Sequence, residues 1–316
     1  MTAEGKKQAS VQVERIQERI RLTGDASNLP ALQNHVAAVQ AISRGAAPLH
    51  IDFAQLQEAG IPTPNGGRSR VIDEYRLIKR AVMRIAAGGS NLNLILVTSA
   101  QPGEGKTFTT LSLAMSAVAD HGVPVLLVDV DVVKQDVCRR LGIRSEIGLL
   151  DVLNDELTLP EVLVHTDVPR LTVLPAGRDR PLAHELMAGS KMQAFMDQLS
   201  NAYRKGLVMF DIAPALVSAD ASVLSANVGQ IILVIEANRT GRPAVEQTVS
   251  VLQECKRISL LLNKVDATEL VNQYGAYYGD YGYGYPPPGE APSLVDRVGR
   301  HLRSQLIRPN KVGQSQ

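Results

Sequence analysis

The sequence predicts an α/β fold built on a doubly wound, mostly parallel sheet, and two observations support this. Short apolar runs rich in β-branched residues alternate along the chain with helical patterns. Most of their apolar residues follow one another without alternating with polar ones, which is typical of parallel strands that are buried on both faces. The predicted strands are 93–98, 123–130, 171–175, 207–211, 230–236 and 258–263, and the predicted helices are 111–120, 191–203 and 244–254.

The composition divides the chain into four predicted segments. Residues 1–66 have the pattern of a helical extension and linker, which ends in a Pro- and Gly-rich stretch, and residues 67–268 carry the strands. Residues 269–290 are rich in Tyr and Gly, so they cannot build a core and are expected to form a disordered tail. Residues 291–316 predict a basic amphipathic helix and a short tail.

Charge and composition exclude several classes of protein. The formal net charge of +1 provides no overall attraction to nucleic acid. The two cysteines, Cys138 and Cys255, lack metal-binding spacing and fit a reducing compartment. The N-terminus is polar, and no apolar run approaches the roughly 20 residues that span a bilayer. We therefore expect a cytoplasmic protein that binds no nucleic acid.

The segment that follows the first predicted strand has the spacing of a phosphate-binding loop. Residues 100–107 read Ala-Gln-Pro-Gly-Glu-Gly-Lys-Thr, with Ala100 in place of the usual first glycine. Glycines allow backbone N–H groups to converge on phosphate oxygens, and the helix N-terminus adds its positive dipole end. Lys106 is expected to reach the β- and γ-phosphates of ATP, and Thr107 to ligate Mg²⁺. The predicted nucleotide contacts are Gly103, Glu104, Gly105, Lys106, Thr107 and Phe108.

Three aspartates follow two other predicted strands. Asp129 and Asp131 lie at the C-terminal end of the strand predicted at 123–130. Asp211 ends the strand 207–211. In a parallel sheet these carboxylates lie at the same edge as the phosphate-binding loop. Such carboxylates hold Mg²⁺ or accept a proton from an attacking hydroxyl. We predict Lys106, Asp129, Asp131 and Asp211 as catalytic, with Asp129 as the base and Asp131 and Asp211 as metal ligands.

Together these motifs resemble the Walker A, Walker A′ and Walker B motifs of the bacterial tyrosine kinases, which use a P-loop NTPase fold. The resemblance covers about residues 50–285. It implies that Asn263 contacts the adenine of ATP, and that residues 73–79 form a helix that joins copies in a ring, through Asp73, Arg76 and Lys79. The stretch 51–80 is most similar to the branch that accompanies exosortase-linked exopolysaccharide systems.

The tyrosine-rich segment resembles the autophosphorylation cluster of that family. Of the eight tyrosines in the chain, six form this cluster: Tyr274, Tyr277, Tyr278, Tyr281, Tyr283 and Tyr285. A base-stacking surface for nucleic acid is disfavoured, because no basic residue occurs between Leu270 and Ala291. The resemblance implies a membrane polysaccharide chain-length protein as activator, a cognate phosphatase and a location beside the inner membrane through a partner.

Departures from the family pattern bear on these expectations. Phe108 stands where a second Ser or Thr is usual, Val133 replaces an arginine, and Lys79 replaces the second arginine of the helix at 73–79. The alternative function within the same fold is that of a partitioning or cell-division ATPase, which assembles without tyrosine chemistry. Those proteins carry a lysine five residues before the P-loop lysine, and this chain has Gln101 there.

The last segment leaves two interpretations open. Leu294, Val298, Leu302 and Leu306 recur every four residues among several arginines. This pattern predicts a helix that packs on the kinase domain or its neighbour, or one that contacts anionic lipid or the membrane activator.

Overall fold

The computed structural model describes residues 48–266, apart from residues 68 and 121. Their helices are α1 (Phe53–Glu58), α2 (Arg70–Ala86), α3 (Lys106–Val118), α4 (Asp136–Arg140), α5 (Leu149–Leu153), α6 (Leu159–Val162), α7 (Ala183–Ala188), α8 (Ser190–Ala202), α9 (Asp220–Ser225) and α10 (Arg242–Val251). Their strands are β1 (Leu94–Ser99), β2 (Val125–Asp129), β3 (Val164–His165), β4 (Leu171–Leu174), β5 (Leu207–Asp211), β6 (Gln230–Glu236) and β7 (Ile258–Asn263).

The strands form one sheet of seven in the order β3-β4-β2-β5-β1-β6-β7. All pairs are parallel except β3 with β4. The predicted fold class is therefore confirmed, and the six predicted strands lie within two residues of the observed bounds at each end. The two-residue strand β3 and the short helices α4–α7 and α9 were not predicted, because elements of so few residues carry little periodicity.

Two hydrophobic cores lie on opposite faces of the sheet, because successive side chains of a strand point to opposite sides. On β1, Leu94 and Leu96 belong to the core that α8 covers, whereas Ile95 and Val97 belong to the core that α2 and α3 cover. These central strands are buried at every position, which explains their unbroken apolar sequence.

The strand β7 differs from this pattern. It lies at one edge of the sheet, and Leu260 and Leu262 are more than half exposed. The expectation that helices cover both faces of the sheet therefore holds for the central strands but not for β7 within residues 48–266.

Helix α2 packs across α3 and so lies behind the phosphate-binding loop. It begins at the cap Ser69, whose hydroxyl accepts a hydrogen bond from the backbone of Ile72. The ring of Tyr75 contacts Phe108 edge to face at a centroid distance of 6.1 Å. The Tyr75 hydroxyl also donates to Thr109 Oγ1 at 3.2 Å, which anchors α2 to the first turn of α3.

Candidate active site

The loop between β1 and α3 is shaped to receive an anion. Gly103 and Gly105 have φ angles of 88° and 100°, a left-handed conformation that glycine adopts without strain. No side chain caps the N-terminus of α3. The first backbone N–H groups of α3 therefore remain available for phosphate oxygens, as in other helix-terminal anion sites.

Lys106 and Thr107, the first residues of α3, face the carboxylate of Asp211 at the end of β5. The Lys106 Nζ lies 3.2 Å from Asp211 Oδ2 and 3.6 Å from Asp131 Oδ2. The Thr107 hydroxyl donates to Asp211 Oδ2 at 2.8 Å. Burial alone would lower the pKa of Lys106, but Asp211 and Asp131 outweigh it, so the pKa is raised and the side chain is cationic.

Asp129 lies beside this group because β2 and β5 are paired with Asp129 opposite Asp211. Burial and the nearby Asp211 raise the pKa of Asp129 from 3.8 to about 7. One carboxylate oxygen accepts a hydrogen bond from the Cys138 backbone at 3.1 Å, and the other, Oδ1, is buried without a hydrogen-bond partner. A carboxyl group with this pKa is suited to accept a proton near neutral pH.

The residues around Lys106 fit a bound Mg²⁺ and the phosphates of a nucleotide. Asp131 Oδ2 is buried and has no hydrogen-bond partner, although it faces Lys106. Within the described residues, no cluster of three or more His, Cys, Asp or Glu could hold a metal by itself. The carboxylates of Asp131 and Asp211 fit Mg²⁺, which usually takes one or two carboxylates together with phosphate oxygens and water.

Two other predicted nucleotide contacts have side chains engaged within the protein. The Glu104 side chain is buried and accepts a hydrogen bond from the Gln101 backbone at 2.8 Å, so it shapes the loop from inside. The Phe108 ring packs on Tyr75. Asn263 Nδ2 donates to the Glu104 backbone carbonyl at 2.9 Å, which places this residue against the phosphate-binding loop.

Sequence reasoning missed several residues that support this loop. Thr110, one turn into α3, donates to Asp211 Oδ1 at 2.8 Å and so fixes the carboxylate from the side opposite Thr107. Lys264 Nζ donates to the Gly103 carbonyl at 2.8 Å, and Thr240 binds the Glu104 side chain. The only available signal was weak: Thr110 lies four residues after Lys106, on the same side of the helix.

The predicted oligomer contacts are divided on α2. Asp73 and Arg76 form an exposed ion pair at 2.8 Å. Lys79, in contrast, is buried and its Nζ lies 2.7 Å from Asp120 Oδ2. Lys79 is therefore engaged within its own chain, and its expected contact between copies stays a prediction. Contact between copies through Asp73 and Arg76 stays a prediction.

The predicted phosphorylation sites, Tyr274 to Tyr285, lie outside the described residues, as do the N-terminal helices and the predicted C-terminal helix. Among the helices of residues 48–266, none combines the length and apolar character that a membrane span requires.

The parallel sheet, the glycine-rich loop at the start of α3 and the carboxylates at the ends of β2 and β5 define a P-loop nucleotide-binding protein. Comparison with known proteins narrows this class. The model of the AAA domain family AAA_31 matches residues 92–264. Tyrosine-protein kinase YwqD of Bacillus subtilis is 30% identical over 210 residues, which cover 66% of this chain and 86% of YwqD.

Two further proteins agree with this match. A protein of Ralstonia nicotianae named as a tyrosine-protein kinase, EpsB, is 30% identical over 219 residues, and the match spans 67% of this chain but only 29% of EpsB. The crystal structure of the VpsO kinase domain is 30% identical and has a TM-score of 0.53, with coverage of 62% of this chain and 96% of that domain. The chain therefore belongs to the bacterial tyrosine kinase family, and its described region contains the AAA domain of that family.

Proposed function

We propose that this chain is an ATP-dependent protein-tyrosine kinase that phosphorylates the tyrosines of its own segment 269–290. The observation that carries the proposal is the placement of Lys106 between Asp211 and Asp131, beside Asp129 with its unpartnered oxygen. This arrangement provides a cation for phosphate oxygens, carboxylates for Mg²⁺ and an acceptor for a proton, as phosphoryl transfer requires.

Each side chain has a distinct role in the proposed reaction. The phenol oxygen of a tyrosine bonds to the γ-phosphorus of ATP, the bond to the β–γ bridging oxygen breaks, and ADP leaves. Lys106 stabilises the charge on the transferred group, and Asp129 accepts the phenolic proton. Thr107, Asp131 and Asp211 would hold Mg²⁺. The bound Mg²⁺ would supply charge neutralisation at the β- and γ-phosphates.

The composition of the segment 269–290 supports its role as the acceptor. It concentrates phenolic hydroxyls, the acceptor group of the proposed reaction, among glycines. The proposed acceptors are Tyr274, Tyr277, Tyr278, Tyr281, Tyr283 and Tyr285. The other two tyrosines are less suitable, because Tyr75 is buried against α3 and Tyr203 is partly buried at the end of α8.

The proposed biological setting rests on the family resemblance alone. It includes assembly of copies through Asp73 and Arg76 on α2, activation by a membrane polysaccharide chain-length protein and reversal by a tyrosine phosphatase. We further propose a role in exopolysaccharide synthesis or export, in the exosortase-linked branch, by a cytoplasmic chain held near the inner membrane by its partner. The four-segment organisation 1–66, 67–268, 269–290 and 291–316 belongs to the same proposal.

Mass spectrometry of the full chain tests the proposed function. Protein that has been dephosphorylated and then incubated with ATP and Mg²⁺ should gain phosphate on tyrosines between 274 and 285. The same protein incubated with ATP and EDTA provides the control and should gain none. Hydrolysis of ATP without any phosphotyrosine would contradict the kinase proposal and favour the assembly ATPase instead.

A further inference from the structure

Each of three loops that follow β2, β4 and β5 carries an exposed aliphatic side chain. Within residues 48–266, three of the large apolar side chains that face solvent are Val133, Leu182 and Val217, with exposures of 81%, 65% and 66%. They follow β2, β4 and β5 respectively, which are neighbours in the sheet. Because parallel strands end at a common edge, all three lie at the edge that also carries Asp131 and Asp211. We call these three residues the apolar rim.

Polar contacts join the three loops to one another. The Gln135 side chain, in the loop after β2, donates to the Gly177 carbonyl in the loop after β4 at 2.8 Å. His184 Nδ1, at the start of α7, lies 2.7 Å from Asp220 Oδ1 at the start of α9, and Ser218 donates to the same carboxylate. The loops that carry the rim residues are therefore linked by polar contacts.

Two residues of the apolar rim, Val133 and Val217, follow closely in sequence after Asp131 and Asp211. The backbone of Lys134 donates to Asp131 Oδ1 at 3.1 Å, so the turn that presents Val133 is built on this aspartate. Val217 follows Asp211 by six residues, and the loop between them is fastened to β1 by the bond from the Ala215 backbone to the Ser99 carbonyl at 2.8 Å. A group bound on the rim would therefore lie beside the proposed base and metal ligands.

The backbone at Leu182 adds an independent observation. Its φ angle is 70°, a left-handed conformation that non-glycine residues adopt at an energetic cost. The carbonyls of Arg180 and Leu182 accept hydrogen bonds from Ala183 and Leu186, which hold the turn in this form. The fold thus keeps a strained residue whose large apolar side chain points into solvent. Strain of this kind is concentrated at binding sites.

We propose that Val133, Leu182 and Val217 form the docking surface for the acceptor segment, and that its occupant is the tyrosine-rich stretch 274–285. This inference rests on the proposed function. The stretch carries aromatic rings separated mainly by glycine and has no Lys or Arg, so its chemistry matches an apolar surface instead of a charged one. Val133 stands where the family resemblance implies an arginine, so this position of the rim is apolar instead of charged.

The test compares three forms of the full chain. In the first, the rim is made polar by Val133→Ser, Leu182→Asn and Val217→Ser, with Asn chosen because it tolerates a positive φ angle. In the second, the rim stays apolar through Val133→Ile, Leu182→Met and Val217→Ile. The third carries Leu260→Ser on β7, a side chain of similar exposure that lies at the far edge of the sheet.

The measured quantities are the initial rate of tyrosine phosphorylation at saturating Mg·ATP, the rate of ATP hydrolysis and the affinity for a fluorescent ADP. We expect the polar rim to slow phosphorylation about tenfold while ATP hydrolysis and nucleotide affinity stay within twofold of the unmodified chain. The apolar replacement and Leu260→Ser should both phosphorylate at the unmodified rate.

Three results would overturn the inference. Phosphorylation that is as fast with the polar rim as with the apolar one would show that the rim does not bind the acceptor. A parallel loss of nucleotide affinity would assign the rim to the ATP site. An unmodified chain that hydrolyses ATP without forming phosphotyrosine would overturn the proposed function, and with it this inference; the unmodified chain alone distinguishes that case from the other two.

Discussion

The two sides of the candidate site differ in burial and in the contacts that their side chains make. On the phosphate side, Lys106, Thr107 and Asp211 are buried and joined by charge-assisted hydrogen bonds. On the other side, Val133 and Val217 face solvent, and their polar contacts lie beneath them in the loop backbone. The comparison indicates that the fold holds the groups proposed to act on phosphate in place before any ligand binds, whereas the proposed acceptor surface is exposed.

The largest effect is expected from substitution of Lys106, the cation on the phosphate side. Lys106→Ala removes the charge next to Asp211 and Asp131, so tyrosine phosphorylation should fall by about 10² to 10³-fold, as when a single transition-state donor is lost. Radiolabel transfer from γ-labelled ATP measures this rate. Lys205→Ala, which changes an exposed lysine, is the control and should be neutral. Equal rates in the two variants would remove Lys106 from the site.

Burial of the carboxylates should also be visible in the pH dependence of stability. The folded-state pKa of Asp129 is about 7 against an ordinary 3.8, so the folded protein binds this proton more tightly than the unfolded chain. The free energy of unfolding should therefore fall as the pH rises from about 4 to 7, by up to about 4 kcal/mol. Burial, Asp211 and Asp131 raise this pKa, while Lys106 and the Cys138 backbone lower it.

Asp129→Asn removes the titrating group and should flatten that slope. Urea unfolding at pH 5 and pH 8, in EDTA, measures the difference. Asp197→Asn, which changes an exposed carboxylate, should keep the slope of the unmodified chain. If Asp129→Asn and the unmodified chain lose the same stability between the two pH values, Asp129 titrates normally.

A smaller effect is expected from Thr110, which contacts Asp211 through a hydrogen bond to Oδ1. Thr110→Val keeps the side-chain shape but loses the hydrogen bond to Asp211 Oδ1, a bond to a charged group worth about 1.5–3 kcal/mol. Phosphorylation should slow roughly tenfold, and nucleotide binding should need more Mg²⁺. Titrating Mg²⁺ against fluorescent ADP measures the second change. Thr110→Ser should restore both values, and a Val variant with normal Mg²⁺ dependence would contradict the assignment.

The smallest effect is expected where the phosphate-binding loop meets the end of β7. Lys264 donates to the Gly103 carbonyl at 2.8 Å and contacts Glu236 at 3.0 Å, but it is exposed, so its contribution is modest. Lys264→Ala should weaken nucleotide affinity about two- to fivefold with little change in stability. Lys256→Ala, another exposed lysine, should leave the affinity unchanged. Equal affinities would show that this contact does not hold the loop.

The contrast between the buried phosphate side and the exposed loops also explains which features could be predicted from the sequence. The phosphate-binding loop and the carboxylates after β2 and β5 were predictable, because the required residues have fixed spacing and parallel strands bring their ends together. Thr110 and Asp211 lie 101 residues apart in the sequence, so no local pattern predicts their contact. The left-handed backbone of Leu182 could not be predicted either, because a leucine in the sequence does not indicate that conformation. The ion pair of Lys79 with Asp120 could not be predicted, because it depends on how α2 packs, which local sequence does not encode.

The central claim is that this ATP site serves the tyrosines of its own chain. The most direct measurement compares phosphate incorporation from γ-labelled ATP into the unmodified chain and into a variant with Phe at the six clustered tyrosines, Tyr274 to Tyr285. Phe keeps the ring and removes only the acceptor oxygen, so we expect loss of most incorporation with unchanged nucleotide affinity. Incorporation at the unmodified level would contradict it and would point to Tyr75 or Tyr203.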